Sequence, residues 1–289
     1  MKLAAEKIGA AKSRLVEFFV ITYFVTWVCF ISVAAFPIRA PYRDLLVLLG
    51  AFAPSLVAVS LTAHSEGAAG VRTLLGRIAQ WRVSVRWYVF AAGYLAAIKL
   101  AAALVHRGVA SEWPRFGSNP WYVIPFAIVL STPFQAGEEI GWRGYALPRM
   151  AKSIGFGAAS LLLGLMWALW HLPQFFIREA DTYGQSFFVY VLQVVALSVA
   201  IAWLWARTGG SLLLPMLLHA AVNNSKDIVP SAVPGAASPF GLNVSPIGWL
   251  TVAGLWVGAV WLLIRAPRRE LLPSDSPITD RSNTIPDAT

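Results

Sequence analysis

FFVYVLQVVALSVAIAWLWA, residues 187–206, runs from end to end without a charged side chain. About 20 predominantly apolar residues are what an α-helix needs to cross the ~30 Å hydrocarbon core of a bilayer. Working outward from this run, seven others qualify: 17–36, 45–63, 87–105, 121–148, 155–177, 211–224 and 247–264. Most carry no charge near the middle; the run at 211–224 is short and ends in polar residues. An unpaired backbone group in hydrocarbon costs several kcal/mol, so each span is expected to be a helix. None of the runs alternates with the period of two that a membrane barrel requires. The expected fold is therefore all-α, a polytopic transmembrane bundle of about eight spans.

Composition agrees. The chain is 57% hydrophobic and only 13% charged, against about 25% charged in ordinary soluble domains. A net charge of +9 would suit nucleic acid, but the basic residues cluster between apolar runs, which is the pattern of membrane orientation. With the N-terminus inside, 16 basic residues fall in inner segments, 6 in outer segments, and Lys99 lies within the third span. That split places both termini in the cytoplasm, as an even number of spans requires. The first apolar run is longer than a signal-peptide core and is expected to be an uncleaved anchor. The expected location is the bacterial plasma membrane, with the lipid bilayer and no nucleic acid as partner.

Residues 1–266 are expected to form one transmembrane domain, with a motif-bearing core at 121–225, followed by a disordered cytoplasmic tail at 267–289 that is poor in apolar residues. Between the second and third spans, Val71, Leu74, Leu75 and Ile78 recur at helical spacing among Arg72, Arg77 and Arg82. This stretch reads either as a short helix on the inner membrane surface or as a basic loop. The single Cys29 permits no intrachain disulfide and no cysteine-based zinc site. The tryptophans read as interfacial anchors and packing.

An ionisable residue near the bilayer centre costs about 2.5–3.5 kcal/mol on insertion scales, so those that persist mark something. Of 14 acidic residues, only Glu138 and Glu139 sit well inside a span; of 4 histidines, only His171 and His219 do. Glu138 precedes the turn near Ser153 by about 15 residues and His171 follows it by about 18, roughly 20–27 Å of helical rise in each case. They should return to similar depth on adjacent antiparallel helices. His219 lies about 10 residues past the next inner turn, roughly 15 Å of rise, and should be shallower. Asn223 shares its helix face at i, i+4. Glu139 and Arg143 are also at i, i+4, with the acid N-terminal, the better orientation for an ion pair. Glu138 projects about 100° away and is expected to remain available for chemistry. Gly137 and Gly141 form a small-xxx-small pair that admits a close helix neighbour. Pro173 and Pro215, near the two histidines, weaken helical hydrogen bonding there and favour a polar cavity. Lys99 stays ambiguous: it either snorkels, pairs with a carboxylate, or shows that the third span is misplaced.

Three motifs now stand in order. Glu138-Glu139-Ile140-Gly141-Trp142-Arg143 fits EExxxR, Trp167-Ala168-Leu169-Trp170-His171 stands where FxxxH is usual, and His219-Ala220-Ala221-Val222-Asn223 fits HxxxN. In this order and spacing the chain resembles the CPBP intramembrane proteases, which include CAAX prenyl endopeptidases and bacteriocin-processing or immunity proteins. Trp167 in place of Phe is the departure, at a position read as aromatic packing. The resemblance implies that Glu138 activates the attacking water as general base and that His171 helps to hold it. It implies that His219 and Asn223 stabilise the oxyanion, while Glu139 and Arg143 shape the site. The substrate would be a membrane-associated peptide or protein, prenylated or not. Peptide hydrolysis needs such a set: an activated water, an oxyanion donor and a proton donor for the leaving amine.

Zinc stays open. Glu138, His171 and His219 could bind it with a vacant position, but no HExxH is present and a glutamate-dependent mechanism needs no ion, so the metal-free reading is preferred. Two other functions compete. A proton-coupled transporter also uses intramembrane acids and histidines, although the two related halves common in transporters are not visible here. A non-catalytic immunity or binding protein of the membrane is the other.

Overall fold

A computed structural model describes residues 2–230, 238–242 and 244–266; the tail at 267–289, expected to be disordered, lies outside the described residues. Every regular element among them is helical. They are α1 (Lys2–Ala35), α2 (Tyr42–Gly76), α3 (Val85–Ala110), α4 (Val123–Ser131), α5 (Ala136–Glu139), α6 (Leu147–Ile154), α7 (Phe156–Trp170), α8 (Phe187–Arg207), α9 (Leu213–Ser225) and α10 (Pro246–Ile264), with short 3-10 and π segments between some of them.

Six helical stretches are long and apolar enough to cross a membrane, at 13–35, 42–79, 85–110, 156–176, 187–207 and 246–264. The protein is an integral membrane protein. The remaining two of the eight expected passes take a different form. The fourth runs from α4 through a 3-10 turn (Thr132–Gln135), α5, a π-helical turn (Ile140–Ala146) and α6. Pro133 opens the 3-10 turn because it has no N–H to continue the α-helical ladder. The seventh pass, α9, has 13 residues, about 20 Å of rise, and is too short to cross alone.

The basic stretch after the second span is helical. Gly67, at φ 66°, ψ −165°, breaks α2, a conformation open to glycine at no steric cost. The helix resumes to Gly76 and ends in a 3-10 turn over Arg77–Ala79. Leu74 and Arg77 are buried. The backbone N–H of Leu212 donates to the carbonyl of Arg77 at 3.0 Å, and Ser211 Oγ donates to the carbonyl of Gln80 at 2.8 Å. This turn therefore anchors the entry to α9.

The prolines act as helix punctuation. Pro173 lies in a 3-10 turn (Leu172–Phe176), and α7 ends at Trp170, so His171 caps the helix instead of continuing it. Pro173 has no N–H to donate to the Leu169 carbonyl, so the α-helical ladder cannot continue past this point. Pro215 lies in the first turn of α9, where no intrahelical donor is lost; it does not open that helix, contrary to the expectation from sequence.

Bundle packing rests on close approaches. At Gly141 an added Cβ would stand 2.5 Å from the carbonyl oxygen of Pro54 in α2, and at Gly137 it would stand 2.8 Å from the Phe52 ring. The small-xxx-small pair thus seats the fourth pass against α2. Likewise a Cβ at Gly164 of α7 would stand 2.7 Å from the Cα of Val195 in α8. Trp142, Trp170 and Trp205 are fully buried; among the tryptophans, read from sequence as interfacial anchors and packing, these three are packing residues.

The collision at Gly141 is with backbone, which cannot rotate away. Gly141→Ala is expected to lower stability by about 1–3 kcal/mol, read as an earlier unfolding transition in detergent. Gly93→Ala, where nothing lies within 4 Å, is expected to leave the transition within about 0.5 kcal/mol of the parent.

Candidate active site

The site forms where the regular helices fail. α5 is a single turn that ends at Glu139, where the π turn begins; such π segments recur at functional sites. Glu139 is fully buried and is held by two donors that meet on one oxygen. Arg143 Nη1 donates to its Oε1 at 2.8 Å and His219 Nδ1 to the same Oε1 at 2.9 Å. Arg143 is itself fully buried. Its Nη2 lies 3.5 Å from Ser198 Oγ, its Cζ lies 4.5 Å from the centre of the Trp167 ring, and Ser198 Oγ donates to the Ser160 carbonyl at 3.0 Å. One ion pair therefore ties the fourth pass to α7, α8 and α9.

Glu138 points elsewhere and is half-buried. Trp167 Nε1 donates to its Oε2 at 2.6 Å. The carboxylate is thus not unengaged, as the sequence had suggested, and Trp167 is more than packing. Nothing in the sequence marked this residue except its place one helical turn before His171 and the departure from phenylalanine.

His171 Nδ1 lies 2.8 Å from the carbonyl of Trp167. A carbonyl only accepts, so Nδ1 carries the proton and the neutral ring presents Nε2 as an acceptor. The same logic holds for His219, whose Nδ1 faces a carboxylate. The edge of the His219 ring meets Trp167 at 5.1 Å between centroids, and Tyr190 of α8 meets His171 at 5.5 Å.

Glu138, Trp167, His171, His219 and Asn223 line one cavity of about 440 Å³. His219 was expected to lie shallower, yet it shares this chamber. Rise counted from turns assumes straight α-helices, and neither the fourth pass nor the entry to α9 is one. Asn223 is exposed within the cavity, and its Nδ2 lies 3.5 Å from Gln135 Oε1. Tyr190, Gln193 and Gln174 add polar surface that the sequence did not single out; a lone Tyr or Gln in a helix carries no signal of its own. Lys99 also faces this cavity. It lies within an unbroken α3, its Nζ donates to the carbonyl of Val229 at 3.0 Å, and Asp227 is near it. The third span was correctly placed, and the lysine is accommodated by polar partners inside the bundle.

The zinc alternative can be weighed on the same contacts. Each histidine spends Nδ1 on an oxygen acceptor and keeps Nε2, which is how a zinc-ligating histidine is usually held, so these bonds do not decide the matter. Spacing does: among the described residues no three His, Cys, Asp or Glu side chains gather closely enough to hold a metal. Glu138, His171 and His219 therefore do not form a zinc site in this arrangement.

Glu139→Gln would leave Arg143 as a buried charge without its counter-ion. Losing one partner of a buried pair costs about 3–5 kcal/mol. The variant is expected to unfold earlier in detergent by a margin of that size, and Glu139→Gln combined with Arg143→Met is expected to recover part of the loss.

Comparison with known proteins agrees with this geometry. Residues 117–225, the segment that holds all three motifs, match the family described as type II CAAX prenyl endopeptidase Rce1-like. A protein of Methanococcus maripaludis named CAAX prenyl protease 2 is 24% identical over 234 residues, covering 73% of this chain and 83% of the relative. Through the motif segment, and through an alignment that runs along most of both chains, this protein is similar to the Rce1-like CAAX prenyl endopeptidases.

Proposed function

We propose that the protein is an intramembrane endopeptidase that hydrolyses a peptide bond of a membrane-associated substrate through water activated by Glu138. The observation that carries this reading is the convergence of Glu138, His171, His219 and Asn223 on one cavity inside the bundle. The name of the Methanococcus relative supports a substrate bearing a prenylated C-terminal sequence. We place the protein in the plasma membrane with both termini cytoplasmic, on the strength of the basic-residue asymmetry.

The chemistry follows from the contacts. With Oε2 occupied by the Trp167 N–H, Glu138 presents Oε1 to a water molecule, and His171 Nε2 accepts the second water hydrogen, which orients the lone pair. Glu138 takes one proton as the water oxygen bonds to the scissile carbonyl carbon. Negative charge develops on the carbonyl oxygen. Asn223 donates Nδ2–H to it. His219, whose Nδ1 is held by Glu139 Oε1, donates to the same carbonyl oxygen through Nε2–H when its ring carries both protons. The proton held by Glu138 then passes to the leaving nitrogen as the C–N bond breaks. Glu139 and Arg143 do not touch the substrate; they fix the His219 ring and the wall behind it.

The test uses purified protein in vesicles and a quenched fluorescent peptide carrying a farnesylated cysteine and a three-residue free C-terminus. Wild type is expected to release the fluorophore. Glu138→Ala and His171→Ala are expected to abolish release while the far-UV spectrum and the unfolding transition persist. Asn223→Ala is expected to lower kcat by about 10²–10³, the usual loss of an oxyanion donor. Full cleavage by both Glu138→Ala and His171→Ala would end this assignment. Proton flux that depends on Glu138 without cleavage would turn it toward transport.

A further inference from the structure

Trp167 meets four of the site's charged or imidazole groups: Glu138, Arg143, His171 and His219. Its indole N–H donates to Glu138 Oε2 at 2.6 Å, and its main-chain carbonyl takes the His171 Nδ1 proton at 2.8 Å. Its ring centre lies 4.5 Å from the Arg143 guanidinium carbon, and the ring meets that of His219 edge to face at 5.1 Å and 81°. The residue is 3% exposed, so its rotamer is fixed by neighbours on all sides. The other buried indoles bond differently. Trp170 donates to Thr26 Oγ1 at 2.8 Å and Trp203 to the Arg265 carbonyl at 3.3 Å, which are ties between helices.

We infer that Trp167 is a positioning residue for Glu138: its indole N–H pins one carboxylate oxygen and so leaves a single, fixed oxygen to meet water. This rests on the proposed role of Glu138 as base. The physical argument concerns rotation. A glutamate side chain with one unbonded carboxylate turns about its last torsion, where the energy profile is broad. A hydrogen bond to a charged acceptor is among the stronger ones in proteins, and inside a bundle it is not diluted by water. The bond therefore selects one orientation in advance of substrate, which is the condition for a well-aimed base. Phenylalanine at this position would keep an aromatic face for Arg143 and the main-chain bond to His171, and would lose only the orienting donor and some ring volume.

Two measurements test this. In the peptide assay, Trp167→Phe is expected to lower kcat roughly 10- to 100-fold, the range for losing a hydrogen bond to a charged group, with KM within about twofold and the pH profile of kcat displaced from wild type. Trp203→Phe, which removes an indole bond remote from the cavity, is expected to shift the unfolding transition and leave kcat and the pH profile in place. Replacing Trp167 with benzothienylalanine keeps ring shape and deletes the N–H, so it should reproduce the kinetic loss even if the phenylalanine variant folds poorly. The second measurement needs no turnover. The ultraviolet resonance Raman band of a strongly hydrogen-bonded indole N–H is expected in wild type and lost in Glu138→Ala. A kcat and pH profile of Trp167→Phe or the benzothienyl variant that match wild type would overturn the inference, as would a Raman band unchanged by Glu138→Ala. If wild type cleaves no peptide, the proteolytic reading fails, while the Raman comparison still decides whether Trp167 holds Glu138.

Discussion

A fully buried carboxylate with two donors on one oxygen organises this bundle. Glu139, Arg143 and His219 come from the fourth pass and α9, and the guanidinium reaches on to Ser198 of α8 and the ring of Trp167 on α7. Lipid tails are as apolar as the helix surfaces that face them, so burial of leucine or valine gives little reason for one helix to prefer another over lipid. Charges are different. A carboxylate and a guanidinium that must leave water are tolerable only together, and the shared contacts of this pair fix how the four helices meet, although Glu139 Oε2 and Arg143 Nε themselves have no hydrogen-bond partner among the described residues. The adjacent Glu138 inherits that precision, because it is one residue along the same backbone and turned about 100° away.

Close packing and the polar centre depend on each other. Gly141 sits between Glu139 and Arg143, and its missing side chain is what lets the Pro54 carbonyl of α2 come so near. That contact presses the π turn into place, and the π turn carries Arg143. Irregular backbone at membrane depth is tolerated where protein or a cavity covers it, and here the irregular turns carry Gln135 and Arg143 and flank Glu138, Glu139 and His171. His171 caps α7 at a 3-10 junction for the same reason: a proline two residues on ends the helix and turns the chain toward the chamber.

Much of this was legible in the sequence because hydrocarbon is a severe solvent. The apolar runs marked the passes, the few charges inside them marked the site, and the four-residue spacing of Glu139 and Arg143 gave their ion pair. The spacing could not say what each face would meet. Periodicity names a face and leaves its neighbour open, so the bond from His219 to Glu139, 80 residues away, had no local sign. The depth expected for His219 went astray because helices were taken as straight and α-helical, and the 3-10 and π turns of the fourth pass change both rise and rotation. Trp167 was hidden for another reason. Its ring behaves as packing, and only a coordinate for Glu138 Oε2 shows that the indole N–H has a partner.

The two carboxylates illustrate how identical side chains acquire separate tasks from their surroundings. Glu139 takes two charged or chargeable donors on one oxygen and is sealed from the cavity. Glu138 takes one neutral donor on one oxygen and lines the cavity. The first arrangement commits Glu139 to the ion pair, because among the described residues Arg143 has no other carboxylate bonded to it. The second holds Glu138 through an uncharged donor, so its orientation is set without a counter-ion bonded to it. An indole at this position therefore orients the carboxylate without tying it into a second ion pair, which is what the role proposed for Glu138 asks of its partner.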